Sequence, residues 1–119
     1  MKIITFANHK GGVGKTTTVA NIGYALAHHY KKKVLMVDMD PQTNLTAHFG
    51  IYDRPEKTMY EVLKGTATIN DSIVHLFPSL HLVPSSLDVT NSDAELQSVT
   101  GREFLLNEAL NKVQGYDAV

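Results

Sequence analysis

The sequence predicts an α/β fold in which a parallel sheet is covered by helices on both faces, forming a three-layer domain. Three observations predict this fold. Strand-like apolar runs alternate with segments of helical periodicity along the 119 residues. Val34–Val37 is an uninterrupted apolar run, which is typical of a parallel strand buried on both faces. A glycine-rich stretch at residues 10–17 joins the first apolar run to the first helical pattern, where such folds place a phosphate-binding loop.

The first third of the chain predicts two strands separated by one long helix. Residues 2–7 are expected to form the first strand, residues 16–30 the helix, and Val34–Val37 the next strand. The small and apolar positions that recur at helical spacing, and so predict the face packed on the sheet, are Val19, Ile22, Gly23, Leu26 and Ala27. Residues 31–33 are three lysines, and we expect a solvated helix end there because cations suit the helix dipole.

The middle of the chain predicts a long loop and one capped helix. The loop covers residues 41–55 and contains one helical turn at 44–49, which ends at Gly50. Thr58 and Glu61 have the spacing of a capping box, and Gly65 supplies the matching end of a short helix.

The last third predicts a third strand at residues 80–83, two helical pieces at 88–99 and 102–113, and a further strand beginning at 116–119. The positions expected to be buried in the second helical piece are Phe104, Leu105, Ala109 and Val113. No internal repeat or low-complexity segment interrupts this order.

Composition excludes several classes of protein. The chain has no cysteine, which excludes disulfides and cysteine-ligated clusters within it. The net charge is −1 and the pI about 6.6, so any binding of nucleic acid depends on a local patch or an assembled surface. No apolar stretch approaches the length of a membrane span, and the N-terminus lacks a secretory signal, so we expect a cytoplasmic protein. The pair His28 and His29 is expected on the helix surface rather than at a metal.

The glycine-rich stretch indicates a cradle for nucleotide phosphates. Its glycines, Gly11, Gly12 and Gly14, allow a tight turn in which successive N–H groups converge on an anion at the start of a helix. Lys15 supplies a cation and Thr16 a hydroxyl for Mg²⁺. The ordinary motif requires glycine where this chain has His9, whereas a variant that begins with a lysine, Lys10, fits at every position.

Two carboxylates follow the buried strand. Asp38 and Asp40 come at its carboxyl end, where open α/β sheets place their ligand sites. Either side chain could instead cap a turn or helix, and Asp40 precedes a proline that is typical of turns.

The stretches at residues 8–18 and 34–42 resemble the ParA/Soj family of chromosome and plasmid partitioning ATPases, and shorter matches occur at 82–86 and 101–103. The related MinD and nitrogenase iron proteins usually carry glycine where His9 stands, and the latter needs cluster-binding cysteines. Two positions depart from the ParA pattern. His9 replaces the commonest glutamine, and Thr43 replaces a commoner glycine, which leaves the flexibility of that switch loop less certain.

The resemblance implies a P-loop NTPase fold, ATP and Mg²⁺ as cofactors, and a role for each matching residue. The phosphates would be wrapped by Gly11, Gly12, Val13, Gly14, Lys15, Thr16 and Thr17. Thr16 would bind Mg²⁺, and Asp38 would reach it through a water. Asp40 would position the attacking water, and Lys10 would reach the phosphates of a partner subunit.

The resemblance also implies an ATP-dependent homodimer, non-specific DNA binding, a ParB-type centromere-binding partner and association with the nucleoid. Members of the family are about twice as long, so residues 1–119 are expected to be the N-terminal part of one ATPase domain whose C-terminal half is absent; a natural short domain is the alternative. Residues 116–119 should then lie against the first strand, and the segment alone should self-associate and show little ATPase activity. Two other functions stay open: a membrane-associated positioning ATPase of the MinD kind, and an inactive segment that keeps only the nucleotide-binding loop.

Overall fold

The computed structural model describes all 119 residues, which form five α-helices and a sheet of three strands. The helices are α1 (Lys15–His28), α2 (Asn44–His48), α3 (Met59–Lys64), α4 (Val89–Glu95) and α5 (Leu105–Asn111). The strands are β1 (Val34–Val37), β2 (Val74–Phe77) and β3 (Leu80–Val83), and 3₁₀ turns cover Asn70–Ser72 and Arg102–Phe104.

The sheet is mixed rather than wholly parallel. Its order is β1-β3-β2, with β1 parallel to β3 and β2 antiparallel to β3. The strand β2 was not predicted from the sequence, although its side chains alternate between half-buried and exposed as expected for an edge strand. Only Pro78 and Ser79 separate β2 from β3, and so short a connection can join only antiparallel neighbours.

The two ends of the chain extend this sheet on the β1 side. The Lys2 amide donates to the Asp117 carbonyl at 2.9 Å, and the Ile4 amide donates to the Val119 carbonyl at 2.8 Å. The Leu35 amide donates to the Ala118 carbonyl at 3.0 Å, so residues 117–119 lie between the first segment and β1. This confirms the predicted neighbour of the last segment. The first strand was predicted too long, because its inter-strand hydrogen bonds reach only Ile4 rather than residue 7.

Side chains of β1 alternate between two cores on opposite faces of the sheet. Val34 and Met36 pack with α1 and α2, whereas Leu35 packs with α3, α4 and α5. This arrangement confirms the three-layer prediction. Leu35 is fully buried, and truncating it to alanine is expected to cost about 2–5 kcal/mol of folding free energy.

The helices mostly follow their predicted positions. The capping box at Thr58, the turn at 44–48 and the exposed His28–His29 pair are all confirmed. Gly23 packs closely on β1, since an added Cβ would lie 2.8 Å from Met36 Sδ.

Two predicted core positions are wrong. Ile22 is 39% exposed and Phe104 is 55% exposed. Phe104 belongs to the 3₁₀ turn that precedes α5, which shifts the helical register. Leu110, which was not predicted to be buried, therefore joins the correctly predicted Val113 in the core. The preceding helix, α4, also ends at Glu95, four residues before its predicted end.

Candidate nucleotide-binding site

The loop before α1 is open on the side that would face a ligand. Gly12 and Gly14 have φ of +69° and +91°, which side-chain-bearing residues rarely adopt. No heavy atom outside the loop lies within 4 Å of a Cβ placed on Gly11 or Gly12. Lys15 Nζ donates to the Lys10 carbonyl at 3.2 Å across the loop, so its ammonium group lies over the turn. The loop therefore combines left-handed glycines, open space and a lysine ammonium group over the turn.

The N-terminus of α1 is left without an internal partner. Its N-cap residue is Gly14, no side chain caps it, and the first turn holds no acidic residue. The first N–H groups of a helix have no intrahelical acceptor, and the dipole of this 14-residue helix adds partial positive charge there. This helix end is suited to bind an anion.

Asp38 lies at the carboxyl end of β1, as predicted, and is buried with 3% of its surface exposed. Its Oδ1 accepts a hydrogen bond from the Asp40 amide at 3.0 Å. Its Oδ2 accepts from the Thr46 amide at 2.9 Å and from the Thr46 hydroxyl at 2.6 Å. Burial raises the pKa of the Asp38 carboxyl above its usual value, although these hydrogen bonds favour the ionised form.

Asp40 organises the turn that follows. Its Oδ1 accepts from the Gln42 amide at 2.9 Å, and its Oδ2 accepts from Asn44 Nδ2 at 2.7 Å. In this structure Asp40 therefore shapes a turn, which is the alternative role that its position before a proline suggested. Thr43, which stands where glycine is commoner in ParA proteins, has φ of +57° and caps α2 only through its backbone.

One open cavity of about 1270 Å³ brings most of the predicted residues together. The predicted residues that line it are Gly11, Gly12, Val13, Gly14, Lys15, Thr16, Thr17, Asp38 and Asp40. Lys10 does not line it, and its side chain is exposed. Backbone donors with a lysine suit phosphate, and the hydroxyl and carboxylate oxygens suit Mg²⁺, so these residues fit a magnesium nucleotide.

Three residues that hold this site were not predicted from the sequence. Thr46 and Asn44 bind the two aspartates, and the Ser85 amide donates to Thr46 Oγ1 at 3.0 Å. Thr46 lies eight residues from Asp38, and Asn44 lies four residues from Asp40. Both belong to a predicted helical turn, which was a usable signal. Ser85 is 39 residues from Thr46, and no local pattern reveals such a contact.

The fold and the site together define a P-loop nucleotide-binding protein with a lysine-first loop. A family profile described as an AAA domain matches residues 1–119, the whole chain. The sporulation initiation inhibitor protein Soj of Bacillus subtilis is 40% identical over 121 aligned positions, which cover 99% of this chain and 47% of Soj. The chromosome partitioning protein ParA of Caulobacter vibrioides is 37% identical, over 96% of this chain and 43% of its own length.

Solved structures agree with these relatives. The cobyrinic acid a,c-diamide synthase of Mycobacterium smegmatis, with a bound ATP analogue and magnesium, superimposes with a TM-score of 0.94 at 39% identity. That match covers 99% of this chain and 49% of the synthase. The chain belongs to this AAA-domain family of P-loop ATPases, in the ParA/Soj group. It spans less than half the length of the Soj and ParA proteins named above. None of its helices has the length and apolar character needed to cross a membrane.

Proposed function

We propose that this chain binds ATP with Mg²⁺ and forms the phosphate-binding part of a partitioning ATPase that hydrolyses ATP. One observation carries the proposal: the uncapped, acid-free end of α1 opens into the cavity that also holds Thr16, Asp38 and Asp40. The donors, the cation and the metal-binding oxygens needed for a magnesium nucleotide therefore share one space. The similarity to the chromosome partitioning protein ParA of Caulobacter vibrioides supports the partitioning role.

In this proposal, separate residues bind the phosphates, hold the metal ion and position the attacking water. The amides of residues 11–17 bind phosphate oxygens, and Lys15 exchanges its contact with the Lys10 carbonyl for the β- and γ-phosphates. Thr16 and, through a water, Asp38 would hold the metal ion, which would neutralise charge on the phosphates. Asp40 positions the attacking water after giving up its contacts with Gln42 and Asn44.

Lys10 acts on a second copy of the protein in this proposal. Its side chain is exposed and lies outside the cavity lining, so it is free to reach the phosphates bound by a partner subunit. Phosphoryl transfer depends mainly on positioning and charge stabilisation, and a comparable arginine supplied in trans accelerates it by about 10³–10⁵. Hydrolysis would thereby be coupled to an ATP-dependent homodimer.

The wider role follows the ParA type. The dimer would bind DNA without sequence preference, respond to a ParB-type centromere-binding protein, and work in the cytoplasm on the nucleoid. The synthase similarity extends to under half of that enzyme, so it supports the shared nucleotide site and not a shared substrate. A MinD-like positioning ATPase or an inactive nucleotide-binding segment are the alternatives.

Equilibrium binding and sedimentation test this proposal. Lys15→Ala should abolish tight Mg-ATP binding, since a charge-assisted contact is lost. Lys10→Ala should leave monomer binding nearly intact but reduce dimerisation with a non-hydrolysable ATP analogue. Unchanged binding in Lys15→Ala would exclude the cradle, and an undiminished dimer in Lys10→Ala would exclude the role in trans.

A further inference from the structure

Thr46 supplies two of the three hydrogen bonds received by the Asp38 carboxylate. Its amide and its hydroxyl both donate to Oδ2, at 2.9 and 2.6 Å, whereas Oδ1 receives only the Asp40 amide at 3.0 Å. A carboxylate oxygen has about two lone pairs, so Oδ2 is fully used and Oδ1 keeps one free. The position of Asp38 next to the nucleotide cavity therefore depends mainly on Thr46.

The Thr46 hydroxyl is itself fixed in direction. Its oxygen accepts the Ser85 amide at 3.0 Å, and a hydroxyl has only one proton to donate. With an N–H donor on its oxygen, that proton goes to Asp38 Oδ2. Thr46 is 2% exposed and Ser85 is 1% exposed, so water does not compete for these contacts. The hydrogen bonds from Ser85 to Thr46 and from Thr46 to Asp38 thus connect the segment after β3 to the cavity.

Packing alone does not account for a threonine here. Thr46 lies in α2 beside Leu45, which belongs to the core between the sheet and α1. A buried hydroxyl is costly unless it is hydrogen-bonded, and valine has nearly the same shape without that cost. The Thr46 hydroxyl instead donates to the Asp38 carboxylate and accepts from the Ser85 amide.

We propose that Thr46 is the positioning residue for Asp38: it saturates Oδ2 and leaves the free lone pair of Oδ1 for the water shell of the magnesium nucleotide. This inference rests on the proposed magnesium-nucleotide function. Partners of metal-site carboxylates typically change metal affinity by about 10–100-fold when removed. Thr46 therefore controls the dependence of nucleotide binding on Mg²⁺ rather than the binding of phosphate.

Two measurements on the full chain test this role. The affinity for an ATP analogue is measured against Mg²⁺ concentration and again in EDTA, and unfolding is followed in urea. Thr46→Val and Thr46→Ala should raise the Mg²⁺ concentration for half-maximal binding by about 10-fold or more, with little change in EDTA. Thr46→Ser, which keeps the hydroxyl, should restore a dependence close to that of the wild type.

Thr58→Val is the matched control. Thr58 is also a fully buried threonine with hydrogen-bonded Oγ1, but its partners are Glu61 in α3 and Ser86, which follows β3. The Thr58→Val variant should be less stable than the wild type in urea. Its affinity for the ATP analogue should depend on Mg²⁺ concentration as in the wild type. An equal shift in Thr58→Val and Thr46→Val would reduce Thr46 to a structural residue, and no shift in Thr46→Val or Thr46→Ala would overturn the inference directly. A folded wild-type chain that binds no Mg-ATP would instead overturn the proposed function, and this inference with it.

Discussion

The N-termini of α1 and α3 are built in opposite ways. At α3, Thr58 Oγ1 accepts the Tyr60 amide at 3.2 Å, and Glu61 Oε2 accepts the Thr58 amide at 2.8 Å. Arg54 binds Glu61 in turn through an ion pair. At α1, no side chain accepts from the first amides, and no acid stands in the first turn. The end of α3 is complete within the chain, whereas the end of α1 is complete only with an anion.

This difference separates stability from function in one molecule. A satisfied helix end contributes to folding, and its loss costs folding free energy. An open end contributes little to the free chain and is available to a ligand. Substitutions at the two ends should therefore affect different measurements.

The largest effect is expected from giving α1 the acid that α3 already has. Thr17 occupies in α1 the third helical position, which Glu61 occupies in α3. Thr17→Glu should weaken Mg-ATP binding by about 100-fold or more, roughly 3 kcal/mol, because a fixed carboxylate repels the phosphates and competes for the same amides. The free chain should gain about 0.3–1 kcal/mol of stability. Calorimetry checks the loss of Mg-ATP affinity, and urea unfolding checks the gain in stability.

The control for that substitution is Thr17→Gln, which has the shape of glutamate without its charge. It should bind Mg-ATP more tightly than Thr17→Glu does. Equal losses in both variants would point to crowding of the loop rather than to charge.

Removing the cap of α3 should lower the stability of the fold and leave Mg-ATP affinity unchanged. Thr58→Ala is expected to cost about 0.5–2 kcal/mol of unfolding free energy, since the Tyr60 amide loses its acceptor. Mg-ATP affinity measured on the folded protein should stay at the wild-type value. A large change in affinity would show that the two helix ends are coupled.

The pH dependence of the α3 cap should reveal the charge of Glu61. Burial acts to raise the pKa of Glu61, but hydrogen bonds from Arg54 and Thr58 outweigh it and hold the pKa below its ordinary value of 4.5. A depressed pKa stabilises the fold above that ordinary value, and this contribution disappears as the pH falls through the folded-state pKa. Wild type should therefore exceed Glu61→Gln in stability at pH 7, and the gap should close in acid. A difference in stability that widens in acid would contradict the lowered pKa of Glu61.

The smallest effect is expected at α2, whose start resembles that of α1. Thr43, its N-cap, has a left-handed backbone like Gly14 and no side-chain cap. A β-branched residue in that region costs about 1–2 kcal/mol, while glycine adds about 0.4–1 kcal/mol of unfolded-state entropy. Thr43→Gly should then change the stability of the chain by a net gain of about 0–1.6 kcal/mol in urea unfolding. Thr43→Ala, which keeps a Cβ, should gain less, and a loss of stability in Thr43→Gly would show that the threonine side chain holds the turn.

Local patterns predicted much of this fold because the contacts behind them are local. The capping box at Thr58, the glycine at residue 65 and the apolar run of β1 each act within a few residues of their own position. The strand β2 was missed although its connection to β3 is local, because a run of only four residues is too short to distinguish a strand from other structure by its pattern. Phe104 was misplaced because one 3₁₀ turn shifts a helical periodicity that was read as continuous.

For the site, the sequence alone determined the parts that act through the backbone and through charge. Glycines followed by Lys15 and Thr16 at the start of a helix favour a phosphate-binding loop, because permission for positive φ and the helix dipole both come from local residues. The tertiary structure decided how Asp38 is held. The Ser85 amide reaches Thr46 across 39 residues only because β3 packs beside β1, and burial makes each hydrogen bond in that group obligatory.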